Sequence, residues 1–176
     1  ASSVEIIRER KNKVNFSCGV SINNLSLNEN DIGDFKTFLK LSPPLRTEED
    51  RNALVQGLVD ETIDVIVSDH KPEDEENKRL TFAQAETGAS GIETLLPLSL
   101  ELYHNGSVKL ETIIKALTSS PAKILKINKG NLSIGNDADF CIVDINKPWV
   151  VRKEKLISKS KNTPIEDKKL QGKVMN

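Results

Sequence analysis

The chain has 176 residues, which suits one domain or one domain with a small appendage. Its 25 Lys and Arg residues and 26 Asp and Glu residues give a net charge of −1, so no basic surplus indicates a nucleic-acid partner. Its apolar runs are all shorter than the roughly 18 residues of a membrane span, and its polar start is unlike a signal peptide. Because the first residue is Ala1 and not Met, we expect that the chain begins within a longer protein or has been processed.

The first elements in chain order are a helix and a strand. The spacing of apolar residues predicts a helix over residues 3–13, and a β-branched, apolar run predicts a strand over 14–20. A short helical turn is expected over 28–32. Residues 40–45 must be extended, because each proline there disfavours a helical conformation at the residue before it.

A second helix and a second strand follow. Thr47 can cap a helix whose first turn is acidic and whose buried side includes Leu54 and Leu58. The nearly continuous apolar run over 63–68 then predicts a strand that is covered on both faces, as in a parallel barrel. Asp69 follows directly at the C-terminal end of this strand.

Three helices are predicted next, over residues 91–103, over 110–117 and from Ser120 onward. The middle one has apolar residues at the i, i+3, i+4, i+7 spacing of an amphipathic helix. Ser120 is the expected cap of the third, and Pro121 fits its first turn, where the missing N–H costs nothing.

From Gly130 onward, short strands are predicted, including 140–143 and 149–151. Helices and strands alternate in the first part of the chain, and strands dominate the last part. This order indicates an α/β fold: the C-terminal part of a (βα)₈ barrel, followed by strands of a small β-sandwich. We expect the barrel part with its closing helices to cover residues 1–128, and the sandwich part to cover 129–176.

The two cysteines, Cys18 and Cys141, each lie in an apolar, strand-like run. We expect two buried thiols in a reducing cytosol and no disulfide.

Polar side chains follow two of the predicted strands, and such strand ends carry the active sites of barrels. Asn23 and Asn24 follow one strand, and Asp69 and His70 follow the other. An aspartate in this position can be a metal ligand or a general base. It can equally be a residue that caps a helix or stabilises a turn.

Several blocks of this sequence, in the same order, are similar to those of dihydroorotases, and together they are far more specific than any single motif. The blocks are SPPLR (42–46), EDR (49–51), ETID (61–64), DHKPE (69–73), GIETLLPL (91–98), SPAKIL (120–125), GNDADFCIVD (135–144) and SKSKNTP (158–164). The resemblance implies an amidohydrolase barrel that hydrolyses and closes a cyclic amide in de novo pyrimidine biosynthesis.

The same resemblance implies roles for individual residues. Asp69 matches the aspartate that shuttles a proton beside a zinc centre, and it is the one metal ligand that this chain would supply. Ser42, Glu73 and Gly88 match positions that contact the substrate. The family's other metal ligands precede the segment that this chain matches, so we do not expect the chain to hold zinc alone.

The departures from the family pattern concern the site. Asn23 and Asn24 stand where the family has two histidines, Ser42 replaces an asparagine, and Glu73 replaces a histidine that contacts the substrate carboxylate. At about 4 Å and an effective dielectric constant of about 20, Glu73 would repel anionic dihydroorotate by about 4 kcal/mol. The alternative interpretations are a polar turn for the asparagines and a solvated acidic loop for Glu73.

Two functions from different classes remain open. The full protein is either a dihydroorotase to which this chain contributes Asp69, or a non-catalytic protein that holds aspartate carbamoyltransferase. In both cases we expect a cytoplasmic homo-oligomer, with the missing N-terminal part of the barrel as the first partner of this chain.

Overall fold

The computed structural model describes residues 1–175, in which helices and strands alternate before a final pair of strands. The helices are α1 (Ser2–Lys11), α2 (Ile22–Ser26), α3 (Glu48–Val59), α4 (Glu75–Lys78), α5 (Leu95–His104), α6 (Leu110–Leu117) and α7 (Ser119–Ile124). The strands are β1 (Gly19–Ser21), β2 (Val65–Val67), β3 (Val143–Val150) and β4 (Lys169–Val174). Turns of 3₁₀ helix occupy Glu29–Ile32, Thr37–Leu39 and Lys153–Lys155. Within these residues, no helix has both the length and the apolar character needed to cross a membrane.

The strands β1 and β2 pair in parallel, with Val20 opposite Ile66. Helix α3 lies between them in the chain, which makes the βαβ crossover that a parallel pair requires. A further parallel bridge joins His70 to Ala89, so the chain returns to this sheet after β2. The predicted parallel arrangement with both strand ends on one side is therefore present.

Helix α3 begins as the sequence predicts. The Thr47 side chain accepts a hydrogen bond from the Asp50 amide at 3.1 Å, which satisfies one of the free N–H groups of the first turn. Leu58 is buried and Leu54 is half-buried. The predicted cap and the predicted buried side are both confirmed.

The core lies between the parallel strands and the helices that cover them. Its fully buried side chains include Ile22 and Leu25 of α2, Leu98 of α5 and Ile113 of α6. Ile114 is 41% exposed, so the buried stripe of α6 is narrower than its apolar spacing predicts. Leu110 and Leu117 are half-buried, and Leu117 packs against the core, so among the four apolar residues of the predicted stripe only Ile114 is exposed.

Both predicted strands of the parallel pair are longer than the observed ones. Only Gly19–Ser21 and Val65–Val67 form the ladder, and the predicted ranges were 14–20 and 63–68. Asp64 explains the lower limit, because its carboxylate accepts from the Cys18 amide at 2.9 Å and from Lys11 Nζ at 2.7 Å. Before this point, the Asp64 side chain and a backbone hydrogen bond from the Asp64 amide to Cys18 O at 3.0 Å join the two segments outside the ladder.

Two predicted helix starts need correction. Helix α7 begins at Ser119 with Thr118 in the N-cap position, so Ser120 lies inside the helix and is not its cap. Helix α5 begins at Leu95 and not at Gly91, because the intervening residues form a turn in which the Thr94 amide donates to Gly91 O at 3.3 Å.

The last elements, β3 and β4, pair antiparallel with an irregularity between Asp144 and Pro148. One continuous strand replaces the two predicted over 140–143 and 149–151, and β4 is absent from the predictions. Gly172 of β4 has φ +105° and lies so close to Leu100 of α5 that a Cβ there would overlap it. Strand β4 therefore packs directly on α5, and the proposed domain boundary at residue 128 stays a prediction.

The cysteines differ from each other. Cys18 is half-buried, its thiol lies 3.1 Å from Thr62 O, and burial raises the pKa of that thiol. Cys141 is exposed, so the prediction of a buried thiol is wrong there: residue 141 precedes β3 and no layer covers it. Neither cysteine is disulfide-bonded in this structure.

Candidate active site

The ends of β1 and β2 open onto one cavity of about 670 Å³. Asn24, in the first turn after β1, and Asp69, two residues after β2, both line it, together with Ser21 and Arg46. Asp69 has a φ of +49°, the left-handed conformation that Asp tolerates better than most residues. The structure thus brings the two predicted strand ends together.

The two asparagines after β1 have different surroundings. Asn24 donates from Nδ2 to Pro44 O at 3.2 Å, which ties the end of β1 to the proline loop. Asn23 is 1% exposed, and neither its Oδ1 nor its Nδ2 has a partner among the described residues. A polar turn therefore accounts for Asn24, whereas the buried amide of Asn23 is not explained by turn formation.

Ser42 does not belong to this cavity. Its neighbours Pro43 and Pro44 line the cavity, but Ser42 is exposed and is not among the lining residues. Its predicted role in substrate contact stays a prediction.

Glu73 lies in the loop that follows β2. Its side chain is only 17% exposed, and its Oε1 is 3.2 Å from Lys71 Nζ. The alternative of a solvated acidic run is therefore wrong at this residue. The adjacent ammonium partly offsets the negative charge that Glu73 would bring to a ligand.

Gly88 lies near the end of the same loop, and its backbone conformation explains why the residue is glycine. Its φ is +135°, and a Cβ at this position would come within 2.8 Å of Lys71 O. The Gly88 amide donates to Lys40 O at 3.0 Å. A side chain is excluded here on steric grounds, whether or not Gly88 also contacts a substrate.

The two histidines serve local contacts. His70 Nδ1 accepts from the Gly91 amide at 3.2 Å, which links the end of β2 to the turn before α5. His104 is the last residue of α5, where the helix dipole favours a basic side chain, and its Nε2 lies 3.0 Å from Ile145 O in β3.

Sequence reasoning missed Lys78, which lies in a charged run and is nevertheless fully buried. Its Nζ donates to Glu86 O at 2.8 Å and to Lys40 O at 3.3 Å. Burial lowers the pKa of Lys78 to about 8. No local signal distinguishes this lysine, because its partners are backbone carbonyl groups eight residues later and 38 residues earlier in the chain.

The described residues at the strand ends supply Asp69 but not the full donor set of a catalytic zinc site. Such a site needs about three protein ligands, usually imidazole, thiolate or carboxylate. The side chains that line the cavity together with Asp69 include the Asn24 amide and the Ser21 hydroxyl, which are not among these ligands. Among residues 1–175, no group of three His, Cys, Asp or Glu residues is arranged to hold a metal ion.

The comparison with protein families identifies the class. The model of the amidohydrolase family matches residues 1–175, so the chain belongs to the amidohydrolase family. Members of this family are generally metal-dependent, and the predicted partial barrel is confirmed.

The relatives within this family confirm the dihydroorotase resemblance. The dihydroorotase of Ehrlichia canis (strain Jake) is 42% identical over 174 residues, which are 98% of this chain and 39% of that protein. The chain thus spans about two fifths of the length of this relative.

Solved structures agree with the fold. The L-hydantoinase (dihydropyrimidinase) of Arthrobacter aurescens superimposes with a TM-score of 0.92 at 28% identity, over 98% of this chain and 40% of that one. The inactive dihydroorotase-like domain of the Chaetomium thermophilum CAD-like multifunctional protein gives a TM-score of 0.69 at 22% identity, over 98% and 45%. At this identity the second likeness concerns the fold alone.

Proposed function

We propose that this chain is the C-terminal part of a dihydroorotase-like protein of de novo pyrimidine biosynthesis, and that its site does not support metal-dependent hydrolysis of the cyclic amide. One observation carries the second half of this proposal. The cavity at the strand ends is lined by Asp69 and by Asn24, and Asn24 stands where the dihydroorotase pattern has a histidine.

The first half rests on relatedness. A protein named dihydroorotase shares 42% identity with this chain over 98% of the chain and 39% of that protein. The reaction in question converts dihydroorotate and carbamoyl aspartate into each other. Glu73 does not favour an anionic ligand, although Lys71 at 3.2 Å weakens the repulsion.

The rest of the barrel is proposed to come from a preceding part of the same protein. Among the described residues, β1 pairs with β2 alone, so its other edge lacks the neighbour that a closed barrel provides. We further propose a cytoplasmic homo-oligomer, with barrel and sandwich parts meeting near residue 128.

The second candidate function is that of a non-catalytic partner of aspartate carbamoyltransferase. It is favoured by the same amide-for-imidazole replacement, since a site without turnover can persist when the fold is needed for assembly. Co-purification of the two full-length proteins, followed by sedimentation of the mixture, tests this role.

The experiment for the main proposal is an activity assay with a matched control. Full-length protein and its Asp69→Asn variant are assayed in both directions with added zinc, and bound metal is measured after dialysis. We expect the two proteins to give the same background rate. A rate above background that is lost in Asp69→Asn would show that the site is catalytic.

A further inference from the structure

A buried polar cluster joins the segment 158–163 to the loop after β2. We call residues 158–163 the latch segment and residues 69–90 the site loop. At the centre lies Asn162, whose side chain is fully buried. Its Oδ1 accepts from Ser90 Oγ at 2.7 Å and from Ser160 Oγ at 2.6 Å. Its Nδ2 donates to Lys71 O at 3.2 Å and to Gly88 O at 3.3 Å.

This arrangement places a possible partner at every hydrogen-bonding position of the amide. A carboxamide offers two donor hydrogens and two acceptor lone pairs, and each of the four faces a partner. The orientation of the amide is fixed by chemistry, because the carbonyl oxygens of Lys71 and Gly88 can only accept. No other side chain of similar size presents two donors and two acceptors in this geometry.

The contacts of Asn162 fall on the two ends of the site loop. Lys71 is two residues after Asp69, and Gly88 is the residue whose lack of a Cβ allows the two backbone strands to approach. The backbone of Asn162 adds a third contact, since its carbonyl accepts from the Ser90 amide at 3.2 Å. Ser160 Oγ also lies within hydrogen-bonding distance of Glu73 O, so its single hydrogen serves either that carbonyl or Asn162 Oδ1.

We propose that Asn162 is a positioning residue, which fixes the backbone of the site loop and thereby couples the latch segment to the cavity that Asp69 lines. This inference goes beyond the proposed function. It applies equally to a site that turns over a substrate and to one that does not.

The sharpest test replaces one amide nitrogen by oxygen in the full-length protein. In Asn162→Asp, a carboxylate would face the carbonyl oxygens of Lys71 and Gly88, and repulsion should open the loop. When the new carboxyl group is protonated, it again has a hydrogen to donate to one carbonyl. The defect should therefore appear at neutral pH and be repaired by acid.

The measurement is hydrogen–deuterium exchange read by mass spectrometry, comparing variant and parent at each pH. At pH near 7.5 we expect exchange of residues 71–90 to be faster by about tenfold or more, as for buried hydrogen bonds that are lost. The difference should shrink towards pH 5, and peptides of β3 and β4 should stay unchanged. Asn146→Asp is the control, because it adds the same charge at an exposed asparagine.

Three results would overturn the inference: no change in residues 71–90 at pH 7.5, a change that acid does not repair, or an equal change over the whole protein. If Asn162→Asp does not accumulate as folded protein, Ser160→Ala removes a single hydroxyl and should still loosen the same residues. An unchanged loop in that variant would also count against the inference. An active enzyme would refute the proposed function and leave these exchange results untouched.

Discussion

The buried ammonium of Lys78 should make stability depend on pH, and Lys78→Met should remove that dependence. Lys78 is fully buried, and its Nζ is held by Glu86 O and Lys40 O. The charged groups around it are the side chains of Glu73, Glu86, Lys71 and Lys40. Two carboxylates and two ammonium groups nearly balance, so burial remains the main influence and lowers its pKa from 10.5 to about 8.

The direction in which stability changes with pH follows from the number of protons bound in the folded and unfolded states. Between pH 8 and pH 10.5 the unfolded chain holds a proton on Lys78 that the folded protein has released. Stability therefore rises with pH across this window. The full difference in pKa corresponds to about 3 kcal/mol, and most of it, about 2.5 kcal/mol, should be gained between pH 7 and pH 10.

Urea unfolding of the full-length parent and of Lys78→Met, at several pH values from 7 to 10, measures this effect. Other groups that titrate in this range are present in both proteins, so their contributions cancel in the difference. Lys13→Met serves as a control, because Lys13 is exposed. If Lys78→Met keeps the pH profile of the parent, Lys78 does not carry the cost of a buried charge and the reasoning fails.

Three further predictions concern the site and the chain. In the full-length protein, Glu73→His with Ser42→Asn should restore dihydroorotate binding, measured by calorimetric titration, before it restores turnover, because binding needs the pocket and turnover also needs the metal. Substantial activity in the parent that these changes do not raise would contradict this. The isolated chain should retain less than one zinc ion per chain after dialysis, and a stoichiometric, tightly held ion would be the opposite result. It should also self-associate in ultracentrifugation, because apolar side chains such as Ile134 and Ile157 are at least 90% exposed, whereas a cooperatively melting monomer would oppose this.

Local sequence signals predicted much of what positions the site. The cap at Thr47 and the apolar run before Asp69 depend on neighbours within a few residues, and both features are present. The carboxyl ends of parallel strands meet at one edge, so the proximity of Asn24 and Asp69 followed from topology alone.

The features that the sequence did not predict are those decided by distant partners. Asn162 donates to Gly88 O and Lys71 O, which lie 74 and 91 positions earlier in the chain. Lys78 belongs to a charged run in the sequence and donates to Lys40 O. Strand β4 exists through its pairing with β3 and its packing on α5. Neither periodicity nor composition carries information about such contacts.

These contacts also bear on how the family blocks should be interpreted. Gly88, Asn162 and Lys78 hold the loop beside Asp69 through backbone carbonyl groups and burial, and none of these interactions involves a metal ion. A protein can therefore retain the family's sequence blocks around Asp69 because the loop must fold. This holds even when the other side chains at the strand ends are amides and not metal ligands. Similarity in these blocks supports the fold, whereas catalysis depends on the ligands that face Asp69. For this chain, the argument against catalysis rests on Asn23 and Asn24, which replace two histidines of the family pattern, and not on the preserved segments around them.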